Sequence, residues 1–167
     1  YAAQTYYYEP GKPVIRFAWN RSDIPGAPFN GSMCTPTEMT LKKHGDRYYL
    51  SALPIKSTEN LVVKSDKLDD FTLTHCTHEL GSKTCRISFT VKEGNLTCSL
   101  YGLEMKLDKN GLTCGESILP RLKNEPMKVD IITATNSVEI YLNGVANTVI
   151  AHVLDLSLIH ISEPTRR

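Results

Sequence analysis

The sequence predicts an all-β chain, and three observations predict it. Turn signals recur between apolar or alternating runs, at Glu9-Pro10-Gly11-Lys12, His44-Gly45-Asp46, Glu93-Gly94-Asn95, Asn110-Gly111 and Asn143-Gly144. Each is of the kind that joins two antiparallel strands. Asn136 to Leu142 alternates with period two, Val138, Ile140 and Leu142 against Glu139 and Tyr141, which sets one face to a core and the other to solvent. From Phe71 onward, runs of strand length follow one another at regular spacing, the pattern of a β-sandwich.

The first of these elements lie between Tyr1 and Lys43, where two strands flank a Pro-Gly turn and are followed by the single Trp of the chain, Trp19, a Gly/Pro/Asn loop and the strand TPTEMTLKK. Between Ser57 and Leu68 the alternation is lost. Ser57-Thr58-Glu59-Asn60 offers helix-capping chemistry and Lys64 to Asp70 is a mixed-charge stretch, so this segment reads as a connection between two domains. The later strands are expected at Phe71 to Thr77, Cys85 to Val91, Leu96 to Leu107, Leu112 to Cys114, Met127 to Ala134 and Val138 to Val153. In the last of these, Asn143-Gly144 supplies the positive φ angles of a type I′ turn, and Val145 to Val153 returns as the partner strand. No internal repeat or low-complexity segment interrupts the series.

Charge argues against two classes of partner. Lys and Arg total 19 against 18 for Asp and Glu, without a long basic cluster, so no field attracts nucleic acid or anionic lipid. Apolar runs such as Leu61 to Val63 and Ile131 to Ile132 fall far short of a membrane span. The chain of 167 residues suits one ordinary domain with a sizeable core. It begins without Met, and Tyr1 enters directly into a β-rich run, so it is expected to be a piece of a longer protein whose cellular location its N-terminus does not reveal.

Five cysteines, Cys34, Cys76, Cys85, Cys98 and Cys114, form no CxxC pair, which argues against a zinc ribbon and a complete disulfide framework. Buried thiols are expected, with a Cys76–Cys85 pairing across a hairpin left open. His75-Cys76-Thr77-His78 gathers metal-binding residue types, but neighbours on a strand point to opposite faces and no second ligand pair lies at zinc-finger spacing. No metal or organic cofactor is expected. Nor is there a Gly-rich phosphate loop, a GxSxG elbow or a Cys-His nucleophile signature.

The opening YAAQT, the hydrophobic strand ending at Trp19 and the strand TPTEMTLKK together resemble the last blade of the five-bladed β-propeller in glycoside hydrolase family 32, the invertases, levanases and inulinases. Further on, SLYGLEMKLDKNGLTC and VDIITATNSVEIYLNGVANTVIAHVL resemble strands of the C-terminal β-sandwich that follows this propeller. Two different domains thus match in the expected order, over most of Tyr1 to Leu154. The resemblance implies four parts: residues 1–56, the end of the catalytic propeller with its last blade incomplete; 57–70, an inter-domain linker; 71–155, the C-terminal sandwich; and 156–167, a tail outside the fold. That tail, LSLIHISEPTRR from Leu156 to Arg167, looks like an in-frame translation of a transposon-end sequencing adapter and is set aside as non-native. The competing reading is a genuine terminal strand, SLIHI.

For function, the resemblance implies hydrolysis of the β-fructosidic bonds of sucrose or a fructan by a parent enzyme, with the sandwich packed against the rest of the propeller. Retaining glycosidases need two carboxyl groups about 5–5.5 Å apart, one nucleophile and one acid/base. In the family these sit in Asn-Asp-Pro and Glu-Cys-Pro-like motifs, with a stabilising Asp in Arg-Asp-Pro, and none of the three occurs in this chain. The chain therefore carries no catalytic residue and is expected to be inactive alone. Glu38, in TPTEMTLKK, matches a family Glu that is not catalytic, and Thr37 stands where the family has Arg; it reads as a solvated or structurally paired carboxylate.

Trp19 matches the Trp of the family's Gly-Trp-Met-like segment, which lines the pocket for the terminal fructosyl ring, although Ala18 and Asn20 replace the flanking Gly and Met. An indole suits that task, because its flat face covers sugar C–H groups while its N–H donates one hydrogen bond. Read without the resemblance, Trp19 is a core residue. Tyr1 and Gln4 are weaker substrate-binding candidates at the pocket's periphery. The rival from another class is a non-catalytic, lectin-like carbohydrate-binding sandwich.

Overall fold

The computed structural model describes residues 1–6, 10–22, 28–68, 75–123, 125–151 and 158–162. The first part of the chain forms a four-stranded antiparallel sheet in the order β1 (Gln4–Tyr6), β2 (Val14–Phe17), β5 (Thr37–His44) and β6 (Arg47–Pro54). Between them, β3 (Trp19–Asn20) pairs with β4 (Ser32–Met33), Trp19 facing Met33 and Asn20 facing Ser32. The turns follow the expected chemistry: Gly11 and Gly45 both adopt positive φ, and His44 pairs with Arg47 across a two-residue loop. A 3-10 helix, Lys56–Leu61, the one helix among the described residues, stands at the predicted connection, held by the Thr58 hydroxyl donating to the Ile55 carbonyl at 2.7 Å. It buries no residue.

The rest is a sandwich of two antiparallel sheets. One has four strands in the order β15 (Ala146–Ala151), β14 (Ser137–Leu142), β13 (Met127–Ala134) and β8 (Cys85–Val91). The other has six, in the order β12 (Ser117–Pro120), β11 (Gly111–Cys114), β10 (Leu103–Asp108), β9 (Leu96–Leu100), β16 (Leu158–Ser162) and β7 (His75–Glu79). Alternate residues point inward from both. Leu100, Met105, Leu107 and Leu112 from the larger sheet meet Met127, Val129, Ile131, Val138, Ile140 and Leu142 from the smaller in one cluster. Each such buried side chain contributes roughly 1.5–3 kcal/mol, so the sandwich carries most of the stability. The four-stranded sheet of the N-terminal part has no comparable core: Leu41, Tyr48 and Leu50 on one of its faces are exposed.

Several expectations are corrected by this arrangement. Glu93-Gly94-Asn95 is not a hairpin, because β8 and β9 belong to different sheets; Gly94 at φ 84 reverses the chain between layers. The run Leu96 to Leu107 is two strands, folded at Tyr101 and Gly102, which both take positive φ. A Cys76–Cys85 bridge does not form, since β7 and β8 also lie in different sheets, and all five cysteines are free thiols. Cys98 and Cys114 are buried. Burial, with the neighbouring Cys114, pushes the Cys98 thiol up to about 12, and burial pushes Cys114 up to about 11, which leaves both protonated and unreactive at neutral pH. The expected strand at Phe71 to Thr77 is seen from His75; residues 69–74, including the end of the predicted linker, lie outside the described residues, as do 152–157.

The largest correction concerns the tail. Residues 158–162 form β16, which is hydrogen-bonded on both sides, His160 opposite Ser99 and Thr77, and Ile161 opposite Cys98 and Cys76. Among the described strands, β7 joins the sheet only through β16. The segment 158–162 contains two β-branched residues, Ile159 and Ile161, a composition that favours strands, and its backbone pairs antiparallel with β7 on one side and β9 on the other. Such pairing is made by backbone atoms and is indifferent to a segment's origin. Removing residues 156–167 is therefore expected to cost more than roughly 1 kcal/mol in a denaturant titration, beyond the usual effect of trimming an exposed terminus. An unchanged midpoint would return the segment to the status of a passive tail.

Candidate functional site

Trp19 is half-buried, just past β2, where the chain jogs at Ala18 and re-enters a strand. Three contacts hold it. Its backbone N–H donates to the Tyr1 carbonyl at 2.9 Å, and the Tyr1 nitrogen donates to the Trp19 carbonyl at 2.8 Å. The Tyr1 ring meets the indole edge to face, with centroids 6.1 Å apart and an interplanar angle of 65°. Behind it, the Cys34 N–H donates to the Ala18 carbonyl at 2.9 Å. Gly31, at φ +76, lies against the indole: a Cβ there would overlap Trp19 Nε1 and stand 2.8 Å from Cε2. A side chain larger than hydrogen at position 31 would push the indole aside.

Trp19, Tyr1, Arg16, Cys34, Glu139 and Tyr141 line one cleft of about 420 Å³, between the N-terminal sheet and the sandwich. Gln4 does not join them; it is exposed in β1, opposite Phe17. Of the residues singled out from sequence, the structure thus brings together Trp19 and Tyr1. Glu38 sits near the start of β5, half-buried, opposite Ile15 and Leu53, and does not line this cleft. Beside Trp19, the Asn20 Nδ2 is buried without a partner among the described residues.

The far wall comes from β14, and here the alternation misled. Val138, Ile140 and Leu142 point into the sandwich core as expected, but Glu139 and Tyr141 are buried too, at 6% and 2% exposure. They do not meet solvent because the N-terminal sheet covers that face. Glu139 Oε1 accepts hydrogen bonds from the Thr35 N–H at 2.8 Å and the Thr35 hydroxyl at 2.9 Å. Its Oε2 accepts from the Tyr141 hydroxyl at 2.7 Å. Burial, reinforced by the Glu139 charge and this hydrogen bond, holds the Tyr141 hydroxyl well above the ordinary tyrosine range. Burial and the same carboxylate also raise the Cys34 thiol. The cleft thus has Glu139 and Tyr141 on the sandwich side, and Trp19 and Tyr1 together with Arg16 and Arg21 on the other. Among the described residues its lining holds one acidic group, Glu139, and no second carboxylate, so these residues do not supply the pair that glycoside hydrolysis requires.

A second junction lies at the other end of the N-terminal sheet. His44 Nδ1 is 2.9 Å from Glu125 Oε1, while Asn143 Nδ2 donates to Glu125 Oε2 at 3.3 Å. Nearby, the Ala52 N–H donates to the Gly144 carbonyl at 3.0 Å. Gly144 takes φ +68, and Leu53 packs so closely that a Cβ on it would come within 2.9 Å. The Asn143-Gly144 turn, legible as a hairpin, thus also docks the β5–β6 hairpin. Among the described residues no group of three or more His, Cys, Asp or Glu side chains is arranged to hold a metal ion, and no helix is long and apolar enough to cross a membrane.

No protein-family model matches the chain, and no curated protein matches it by sequence. Its fold, in contrast, is shared with solved glycosidases. It is similar to exo-inulinase from Aspergillus awamori, with a TM-score of 0.75 and 15% identity, over 98% of this chain and 40% of that one. Fructofuranosidase from Schwanniomyces occidentalis, solved in complex with fructose, matches with a TM-score of 0.67 and 16% identity, over 99% of this chain and 44% of that one. A glycoside hydrolase family 32 structure from Bifidobacterium adolescentis matches with a TM-score of 0.70 and 14% identity, over 99% of this chain and 30% of that one. The chain thus has the all-β fold found in part of these enzymes, and spans less than half the length of each.

Proposed function

We propose that this chain belongs to glycoside hydrolase family 32 and is the C-terminal portion of a retaining enzyme that cleaves β-fructosidic bonds in sucrose or a fructan. The observation that carries the reading is the match in fold over almost the whole chain, N-terminal sheet and sandwich together in one order, with the exo-inulinase. The sequence motifs around Trp19 and in SVEIYLNG support it independently. In this reading residues 1–56 are the last blade of the propeller, 57–70 the linker, 71–155 the sandwich and 156–167 a non-native tail, of which residues 158–162 pair between β7 and β9. The exposed Leu41, Tyr48 and Leu50 are the kind of contiguous apolar surface that another element covers, here the remaining propeller.

The chemistry then divides between the parts. Two upstream carboxylates perform the displacement, one attacking the anomeric carbon and one protonating the leaving oxygen, through a covalent fructosyl-enzyme. This chain contributes binding: the Trp19 face covers the apolar side of the fructosyl ring, with Tyr1 at its edge. Sequencing the gene upstream of the codon for Tyr1 tests the assignment. Asn-Asp-Pro, Arg-Asp-Pro and Glu-Cys-Pro-like motifs are expected there, in one reading frame with this chain; an upstream frame of comparable length lacking all three would refute it.

A further inference from the structure

Glu139 is the only charged residue among the buried ones of the described residues. Burying a carboxylate is costly unless its lone pairs are satisfied, and an apolar residue of similar shape would fill the same space at less cost. The group is therefore informative for where its hydrogen bonds go. Two of the three go to a single residue, Thr35, which lies 104 positions away in the chain and on the other side of the cleft. One oxygen receives both the Thr35 N–H and its hydroxyl, which fixes the backbone and the side-chain rotamer of Thr35 together. The other oxygen is held by Tyr141, so the carboxylate cannot turn away.

From Thr35 the path to Trp19 is short. Cys34, its neighbour, donates to the carbonyl of Ala18, the residue before Trp19. Met33, one residue further, is the strand partner of Trp19 itself. We infer that Glu139 is a positioning residue, through which the sandwich fixes the Met33–Thr35 segment and with it the indole of Trp19. Its consequence for sugar binding rests on the function proposed above; the positioning does not.

Because the chain has one Trp, its fluorescence reports this site alone. Three variants of the 167-residue chain separate the bonds: Glu139→Leu removes the acceptors and keeps the volume, Glu139→Gln keeps an acceptor for Thr35, and Thr35→Val removes the hydroxyl. Acrylamide quenching of Trp19 is read beside far-UV circular dichroism, which monitors the sheets. Glu139→Leu is expected to raise the quenching constant by about twofold or more with the strand signal retained, as a loosened local unit would. Glu139→Gln is expected to stay near the starting value, and Thr35→Val to fall between. Equal quenching in the starting chain and folded Glu139→Leu overturns the inference. If Glu139→Leu does not fold, Thr35→Val decides it, and unchanged quenching there overturns it equally. In the full-length protein, a KM raised by Glu139→Leu and restored by Glu139→Gln extends the role to the sugar site. Altered quenching with unaltered kinetics keeps the positioning and refutes Trp19 as a sugar contact.

Discussion

Replacing Trp19 with Ala in the full-length protein is expected to lower kcat/KM for a β-fructoside on the order of 10- to 100-fold. The estimate follows from the loss of one large apolar contact, worth roughly 1.5–3 kcal/mol, at about tenfold per ~1.4 kcal/mol. Phe should retain more activity than Ala, since it keeps a flat apolar face. The structure sharpens the choice between a sugar contact and a core residue. Trp19 is half-buried, lines an open cleft and meets Tyr1 edge to face, whereas the large core cluster lies elsewhere, between the two sheets of the sandwich. A Trp19→Ala variant with near-normal kcat/KM and a markedly lower unfolding temperature would place it among the core residues instead.

Gly111→Ala is expected to be among the most damaging single changes to the fold, at roughly 3–5 kcal/mol, within the range reserved for backbone strain combined with a steric clash. Gly111 opens β11 at φ +142, a region that side chains rarely adopt. A Cβ there would overlap the Leu119 carbonyl and lie 2.8 Å from the Arg121 nitrogen, both backbone atoms of the neighbouring chain segment. Relief would need β11 and β12 to separate, breaking the pairs Gly111–Pro120 and Leu112–Leu119. Gly45→Ala, at a positive φ but with open space around it, should cost far less, about 1 kcal/mol. Equal unfolding midpoints for the two variants would contradict this account of Gly111.

Local signals gave the strands and local turns well. Cys85 to Val91 and Met127 to Ala134 are strands with the expected bounds, because alternation and flanking turn residues act within a few positions. Asn143 and Gly144 both take positive φ, as the turn chemistry requires. The turn at Tyr101 had no such mark, since a Tyr at φ 52 is held there by its surroundings, among them its hydroxyl's bond to the Ser82 carbonyl at 2.7 Å. What sequence could not show was which faces become covered. Glu139 and Tyr141 obey the period-two pattern of a solvent face, and only the arrival of Thr35 from 104 residues away turns that face into a buried junction. Glu93-Gly94-Asn95 carries the same turn residues whether it closes a hairpin or crosses between sheets. Tyr1 and Trp19 were legible as a site only through the family resemblance; Arg16, Thr35 and Glu139 had no signal that separates them from ordinary strand residues.

The central claim is that this chain completes a fructoside hydrolase without carrying its catalytic carboxylates. Fructose release from sucrose and inulin, measured in parallel for the full-length protein and for residues 1–167 alone, tests it most directly. The account predicts release by the full-length protein on at least one of the two substrates, and none above a carrier-only control by residues 1–167. Release by residues 1–167, or no release by a folded full-length protein on either substrate, would contradict it.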